Sequence, residues 1–510
     1  MGSPRPSASE ASEPAPTEGG ELSSSAVDRS SEGGLFEAAV AGNDGGGLFE
    51  AAVSGNDGGA ATAPAPTGKA GDPAAPGSSG GRSTLSFGLH GHVRGDLFVG
   101  KTVGYVQPDL KAGYGELALR PDVRAGRDAR GVADLRLRYG HDGESVVTRI
   151  DVRDAYVDWF VGRLDLRLGQ QIIVWGRADG INPTNVLTPI DMRIRSPLED
   201  DRRMGNVGLR FSVDLRPIRV EGVWMPLFVP ANWPALDLGD QIELAEPDYP
   251  DARLANGLGA GRVHLELPSF ELSGSYVYGH APLPGLTFHS YDLLAESPVV
   301  RLSRTAYQHH VAGFDFSTAV GDLFGLRGEA AYRHPLEYDS TLHTPNPDLQ
   351  YVAGIDREFG QLSLIVQYYG RYVFDWDALP APEYSDAVLD ELADLDQPLS
   401  PITEERFLAS IDDQLAIRNR LLHAQVKAVQ HAISLRAEYK LLHERLGLSV
   451  FGMANVSTGE WMAYPKLAFS VADGMITSVG AEIYMGPSDT LLGVIDETLS
   501  AGYAEFKILF

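Results

Sequence analysis

The densest collection of chemistry-bearing side chains in this 510-residue chain lies within residues 166–203, LRLGQQIIVWGRADGINPTNVLTPIDMRIRSPLEDDRR. Arg177, Arg193, Arg195, Arg202 and Arg203 share the segment with Asp179, Asp191, Asp200 and Asp201. Guanidinium and carboxylate groups at this density cannot face hydrocarbon, so they belong in solvent or in a polar lumen. Folded inward, the arginines would form one wall of a constriction and the aspartates the other, and such charged rings tune which solutes pass. Folded outward, the same residues make a solvated loop tied by ion pairs of little energetic worth. Asn182-Pro183 and Thr188-Pro189 force extended or turn backbone and stop any strand that enters the segment.

Covalent chemistry finds less support. Histidines occur at His264, His309, His310, His423 and His431, but there is no Gly-x-Ser-x-Gly elbow and no His-Glu-x-x-His pair. His309 and His310 are neighbours on a predicted strand, face opposite sides and cannot chelate one metal together. The two GNDGG stretches hold too few carboxylates for a calcium loop. The sequence therefore predicts no catalytic residue, no metal site and no cofactor. A hydrolase with a Ser-His pair at a lipid-facing rim is the enzymatic alternative.

The elements that must carry the charged segment are strands. Leu135, Leu137 and Tyr139 alternate with Asp134, Arg136 and Arg138, and the same texture recurs at 163–168, 209–216, 262–267 and 435–440. Buried faces of a soluble sandwich would rarely sit opposite so many charges; in a membrane barrel the apolar face meets lipid and the charged face lines water. Arg136, Arg138, Arg163, Asp165, Arg167, Arg210, Asp214, Arg262, His264 and Glu266 are the lumen-facing candidates. Tight turns near Gly162, Pro268, Gly360 and Asp473 alternate with long connections near 176–205, 229–258, 281–305 and 374–420, the asymmetry of an outer-membrane barrel. Trp159, Trp224, Tyr276, Tyr278, Tyr368 and Tyr372 fall at strand ends, where interfacial aromatics belong. Residues 403–422 break the pattern: Thr403 is an N-cap candidate, Glu404 and Glu405 sit in the first turn, and Phe407, Ile411 and Leu415 have helical spacing. With the acidic stretch 386–396 they predict a long loop carrying one or two helices, capping the outer mouth or plugging the lumen. The fold expected is all-β, a transmembrane antiparallel barrel of roughly 16–18 strands.

Composition agrees. The chain has no cysteine and a formal net charge of −27, which opposes nucleic-acid binding. Mean hydropathy is −0.13, and no apolar run is long enough to span a bilayer as a helix, so any crossing is made by strands. Residues 500–510, SAGYAEFKILF, place Phe506, Ile508 and Phe510 on one strand face and end on an aromatic. Such an ending resembles the closing strand of bacterial outer-membrane barrels, where it acts as the assembly signal read by the barrel-assembly machinery.

A second resemblance rests on Gly169-Gln170-Gln171, Trp175-Gly176-Arg177-Ala178-Asp179, Asn182-Pro183, Pro189 and Asp191, followed by Val223-Trp224-Met225-Pro226-Leu227-Phe228-Val229-Pro230. These elements resemble a family of proteobacterial outer-membrane proteins catalogued as a domain of unknown function, over roughly residues 85–510. The resemblance implies a porin-like barrel. Relatives that sit beside inner-membrane exporters imply a variant in which a lipid-like or aromatic molecule is handed outward through a periplasmic partner.

Residues 1–83 differ from the rest: rich in Gly, Ala, Ser, Pro and Glu, they cannot bury enough surface to offset ordering and read as a disordered periplasmic tail before a barrel domain at 84–510. The tail carries a duplication, GLFEAAVAGNDGG and GLFEAAVSGNDGG, whose Leu35, Phe36, Val40, Leu48, Phe49 and Val53 would be paired anchors for a periplasmic or inner-membrane transport partner. The first twenty residues lack a basic start and an apolar core, so an export signal is expected to lie upstream or to have been removed. The function expected is passage or export of a small solute or lipid-like molecule across the bacterial outer membrane. A plugged barrel serving as an anchor or adhesin is the alternative.

Overall fold

The computed structural model describes residues 85–101, 108–143, 145–233, 242–292, 299–379 and 400–510. Their alternating stretches become twenty-one strands: β1 Leu85–Gly100, β2 Asp109–Ala125, β3 Ala129–Asp142, β4 Ser145–Val161, β5 Leu164–Gln171, β6 Asn206–Leu215 and β7 Ile218–Met225. There follow β8 Ile242–Leu244, β9 Leu258–Leu267, β10 Phe270–His280, β11 Gly285–Asp292, β12 Val299–Thr305, β13 Gln308–Val320 and β14 Phe324–Pro335. The last seven are β15 Asp348–Phe359, β16 Leu362–Val373, β17 Val429–Leu441, β18 Leu446–Asn455, β19 Glu460–Ala472, β20 Met475–Met485 and β21 Ala501–Leu509. Two α-helices interrupt them, α1 Pro401–Leu422 and α2 Leu491–Leu499.

Eighteen of the strands form one antiparallel sheet in which each pairs with its neighbours along the chain. Pairing of β1 with β21, from His92↔Leu509 to Val99↔Gly502, closes it into a barrel, so the sheet has no long free edge. The remaining strands, β8, β11 and β12, make a small separate sheet from two of the long connections.

The period-two pattern decides which side chains meet which medium. On β1, Leu85, Phe87, Leu89, Val93, Leu97 and Val99 project outward and are exposed, whereas Arg94, Asp96 and Phe98 project inward and are buried. The same parity puts Leu135, Leu137 and Tyr139 outside β3 and Arg136 and Arg138 inside it. Trp159, Trp224, Tyr276, Tyr278, Tyr368 and Tyr372 all lie exposed on the outer face; Trp159, Trp224, Tyr278 and Tyr372 are toward strand ends, whereas Tyr276 and Tyr368 sit near the middle of β10 and β16.

The rims are unequal. At the rim that holds Leu85 and Phe510, the near rim, all eight connections are two to four residues long: 126–128, 162–163, 216–217, 268–269, 321–323, 360–361, 442–445 and 473–474. Gly126, Gly162, Gly321, Gly360 and Gly474 supply the positive φ that such tight turns need. Every long connection lies at the opposite, far rim.

The far half of the lumen is filled by a packed apolar core rather than by water. Ile181, Ile190 and Met192 from the 172–205 connection, Leu286, Val300 and Leu302 from the small sheet, and Phe407, Ile411 and Leu415 from α1 pack with Leu491, Leu492 and Ile495 of α2. Inward side chains of the wall, among them Val352, Tyr369, Phe451, Met453 and Met462, complete it. Helix α1 is capped by Ser400, whose hydroxyl accepts from the Thr403 amide, with Pro401 in the first turn; Thr403 is therefore inside the helix and not its cap. Asn419 fastens α1 to β11 as an extra strand residue would, accepting from the Leu286 amide at 2.7 Å and donating to its carbonyl at 2.8 Å. Residues 1–84, with the duplicated anchors, and 386–396 lie outside the described residues.

Candidate functional site

The 172–205 connection between β5 and β6 does not stand out in solvent. It turns into the barrel and crosses it, and nearly every residue from Gln171 to Thr188 is buried or half-buried. Its path starts at Trp175, whose indole N–H donates to Glu221 of β7 at 2.9 Å. Gly176 follows at φ +101°, and a Cβ there would lie 2.0 Å from the Asn182 Oδ1. The Trp-Gly and Asn-Pro elements of the sequence are thus two halves of one reversal, the amide of the second packed on the bare backbone of the first. At Gly180, φ +82°, the backbone lies against the Phe451 ring of β18. A glycine is needed at both points, for conformation and for space.

Ion pairs anchor this inward loop to wall strands on all sides. Arg177 bonds Asp315 of β13 at 2.7 Å and Ser317 at 3.1 Å and pairs with Glu271 of β10. Glu329 of β14 accepts from the backbone amides of Arg177, Ala178 and Thr184 and from the Thr184 hydroxyl, at 2.6 to 3.1 Å. Asp179 accepts from Arg436 of β17 at 2.7 Å, and its amide donates to Gln367 of β16. Further along, Asp191 is fully buried between Arg149 of β4 at 2.5 Å, Arg193 at 3.0 Å and Asn232 at 3.0 Å.

The strongest cluster lies at the loop's return. Asp201 receives Arg94 of β1 at 2.6 Å, Arg136 of β3 at 2.5 Å, Arg153 of β4 at 3.3 Å and the Ser196 hydroxyl at 2.5 Å. Burial opposes ionisation of Asp201, but the three guanidiniums outweigh it and hold the carboxyl well below its ordinary range. Arg94, with no exposed side-chain surface, also meets Asp96 at 3.2 Å and Glu116 at 3.0 Å. A β-bulge beside Asp134 lets Arg153 and Asp154, adjacent in sequence, both turn inward.

The arrangement differs from two facing walls of opposite charge. Arg202 pairs with Glu482 of β20, Arg203 with Asp200, Arg193 with Asp191, and Arg195 donates to the Thr498 carbonyl with Asp142 3.7 Å away. Acids and arginines are interleaved because each buried charge needs an opposite one within reach. Only Arg193, about half exposed, presents much of its charge to solvent.

The strand candidates fall on the inward side of their strands: Arg138 on Glu116 at 2.6 Å, Arg167 on Asp158 at 2.7 Å, Arg210 on Glu221 at 3.0 Å, and Arg262 on Asp315 at 2.6 Å. His264 is buried 3.9 Å from Glu221, while Asp165, Asp214 and Glu266 lie toward the open near rim. Arg163 is not on a strand; it occupies the turn between β4 and β5, where the reversal requires it to leave the ladder. His309 points into the barrel and His310 out of it. Phe506, Ile508 and Phe510 lie along the outer face of β21, and Phe510 pairs with Gly91 across the seam. Sequence reasoning passed over Arg94, Asp96, Glu116, Arg153 and Glu329, although extending the alternation through His92-Val93-Arg94-Gly95-Asp96-Leu97 marks the first two. Among the described residues, no group of three or more His, Asp or Glu side chains is placed to hold a metal ion, and no helix is long and apolar enough to cross a membrane.

A protein-family model described as a protein of unknown function, DUF1302, matches residues 68–217, which includes the inward loop. No curated protein matches the chain. Among solved structures, Acinetobacter baumannii OccAB3 is similar at 8% identity and a TM-score of 0.46, covering 83% of this chain and 99% of its own. Pseudomonas aeruginosa OccK5 (OpdH) gives 10% identity and 0.44, covering 83% and 97%, and Salmonella typhi OmpF gives 10% and 0.37, covering 84% and 98%.

Proposed function

We propose that this chain is a channel of the bacterial outer membrane that passes or exports a small solute or lipid-like molecule. One observation carries the reading: a single closed wall whose outer face is apolar along its length and whose inner face is charged and crossed by the inward loop. Hydrocarbon suits the outside, because the ladder pairs the strand N–H and C=O groups within the ring, apart from one flank of β1 between Leu85 and His90. Solute flux requires no catalytic residue, only a lined path. Arg193 and Arg195 of the inward loop, with Arg177, Asp179, Asp191, Asp200, Asp201, Arg202 and Arg203, are its selectivity candidates.

Liposome swelling with graded sugars tests the reading. Swelling that falls with sugar size supports a channel; no swelling with correctly assembled protein supports the second reading, a plugged anchor. The apolar core in the far half of the lumen is the observation that favours that second reading. Cell fractionation with heat-modifiable gel migration checks location and closure together. The duplicated Leu-Phe-Glu segment remains a proposed docking site for a periplasmic or inner-membrane partner: deleting residues 34–59 should leave assembly intact and reduce transport.

A further inference from the structure

At the far rim, a cleft of about 360 Å³ opens between the 336–347 connection and the C-terminal turns of α1, with Tyr338, Thr344, Asn419 and Arg420 in its walls. Beneath it lies a chamber of about 40 Å³ that shares Asn346, His423 and Gln425 with the cleft. The chamber is bounded by His309 of β13, Arg333 of β14, Asp348 of β15 and Arg371 of β16, and by Val186 of the inward loop. Cleft and chamber thus form one path from the exterior toward the loop that crosses the lumen.

The chamber's polar atoms are incompletely used. His309 and His423 are each 5% exposed, and the Nε2 of each has no hydrogen-bond partner. Both rings stand edge-on to Tyr307, with centroids 6.1 and 5.6 Å away, which fixes their orientation. Arg371 is committed to the Oδ2 of Asp348 at 2.5 Å, while the Oδ1 of Asp348 is buried without a partner. Arg333 meets no carboxylate among the described residues: it reaches the Pro183 carbonyl at 3.4 Å and Gln350 at 3.2 Å, and its Nε is buried without a partner. Two guanidiniums against one carboxylate leave a surplus positive charge in a place poor in water.

We propose that this chamber is a binding station for a small monoanion, with the body of an organic anion held in the cleft above. Arg333 supplies the unmatched charge, and the Nε2 of His309 is the fixed hydrogen-bonding group beside it. Room for about one water-sized group limits the anion's head, while the cleft admits an aromatic or short aliphatic body. The site deepens the channel reading by giving the route a charge preference, but binding itself does not depend on flux.

The test uses the full-length protein purified in detergent, with benzoate as the probe and neutral benzamide as its control. Benzoate should bind and benzamide should not compete; Arg333→Gln should weaken benzoate binding at least tenfold. Arg327→Gln, on the same strand but paired with Asp356, should leave it unchanged. A bromide soak of wild-type crystals should place anomalous density in the chamber, and this arm decides alone if Arg333→Gln fails to assemble. Water as the chamber's sole content, or equal benzoate affinity in Arg333→Gln and wild type, overturns the proposal. Benzoate binding without liposome flux would reject the channel reading and leave the site standing.

Discussion

At the scale of single residues, the inward loop is held by buried charges that cannot be removed singly. Asp201→Ala would leave Arg94, Arg136 and Arg153 around an empty position, and breaking such a network by one partner costs about 3–5 kcal/mol. Asp201→Asn should lose much of the same stability, since the charge rather than the shape is what the guanidiniums need. Thermal unfolding in detergent with limited proteolysis of the loop reads both effects; an unchanged midpoint with an intact loop would remove Asp201 as the latch. His423 gives a second prediction. Burial pushes its imidazole down to about 3, so between that pH and the ordinary value of 6.5 the unfolded chain holds a proton that the folded one does not. Its contribution is complete above pH 6.5 and declines as the pH falls, by about 2 kcal/mol at pH 5. His423→Gln should flatten that acid-side loss, which a comparison of unfolding at pH 7 and pH 5 would detect.

Elements show where sequence reasoning succeeds and where it stops. The wall was legible because strand parity is local: Leu135-Arg136-Leu137-Arg138 declares its two faces without reference to any partner. So was α1, through Phe407, Ile411 and Leu415, all of which are buried. Its cap was misread by three residues because Ser400 precedes a proline that resembles a helix stop but serves as the first helical residue. The loop's direction was not legible. Its charges satisfy either water or the wall, and only the positions of Glu329, Arg436 and Arg94, far away in sequence, select the wall. The reversal at Gly176 tests this level directly. Gly176→Ala places a Cβ against Asn182 at φ +101°, and should cost about 1–3 kcal/mol from backbone strain alone. Asn182→Gly in the same chain should relieve the collision but not the strain, so the double variant should recover part of the loss and no more. Full recovery in a thermal-shift assay would show that crowding alone excludes alanine.

For the molecule as a whole, the packed core in the far half means that, on the proposed channel reading, permeability is set by the connections and not by the circumference. Removing residues 177–203 should therefore raise conductance and broaden the range of sugars that swell liposomes, provided that heat-modifiable migration shows a closed ring. Conductance unchanged after that removal would place the barrier in α1 and the small sheet instead. Arg193→Ala and Arg195→Ala probe the same question more gently: a change in ion selectivity assigns these side chains to the path, and none removes them from it.

The seam between β1 and β21 is shorter than its neighbour. From Leu85 to His90 the first strand is bonded to β2 on one side, while β21 begins to accompany it only at Gly91. Those residues carry outward Leu85, Phe87 and Leu89 on a backbone with one row of amides and carbonyls uncommitted among the described residues. Such a half-zipped margin is where a foreign strand could be stitched on.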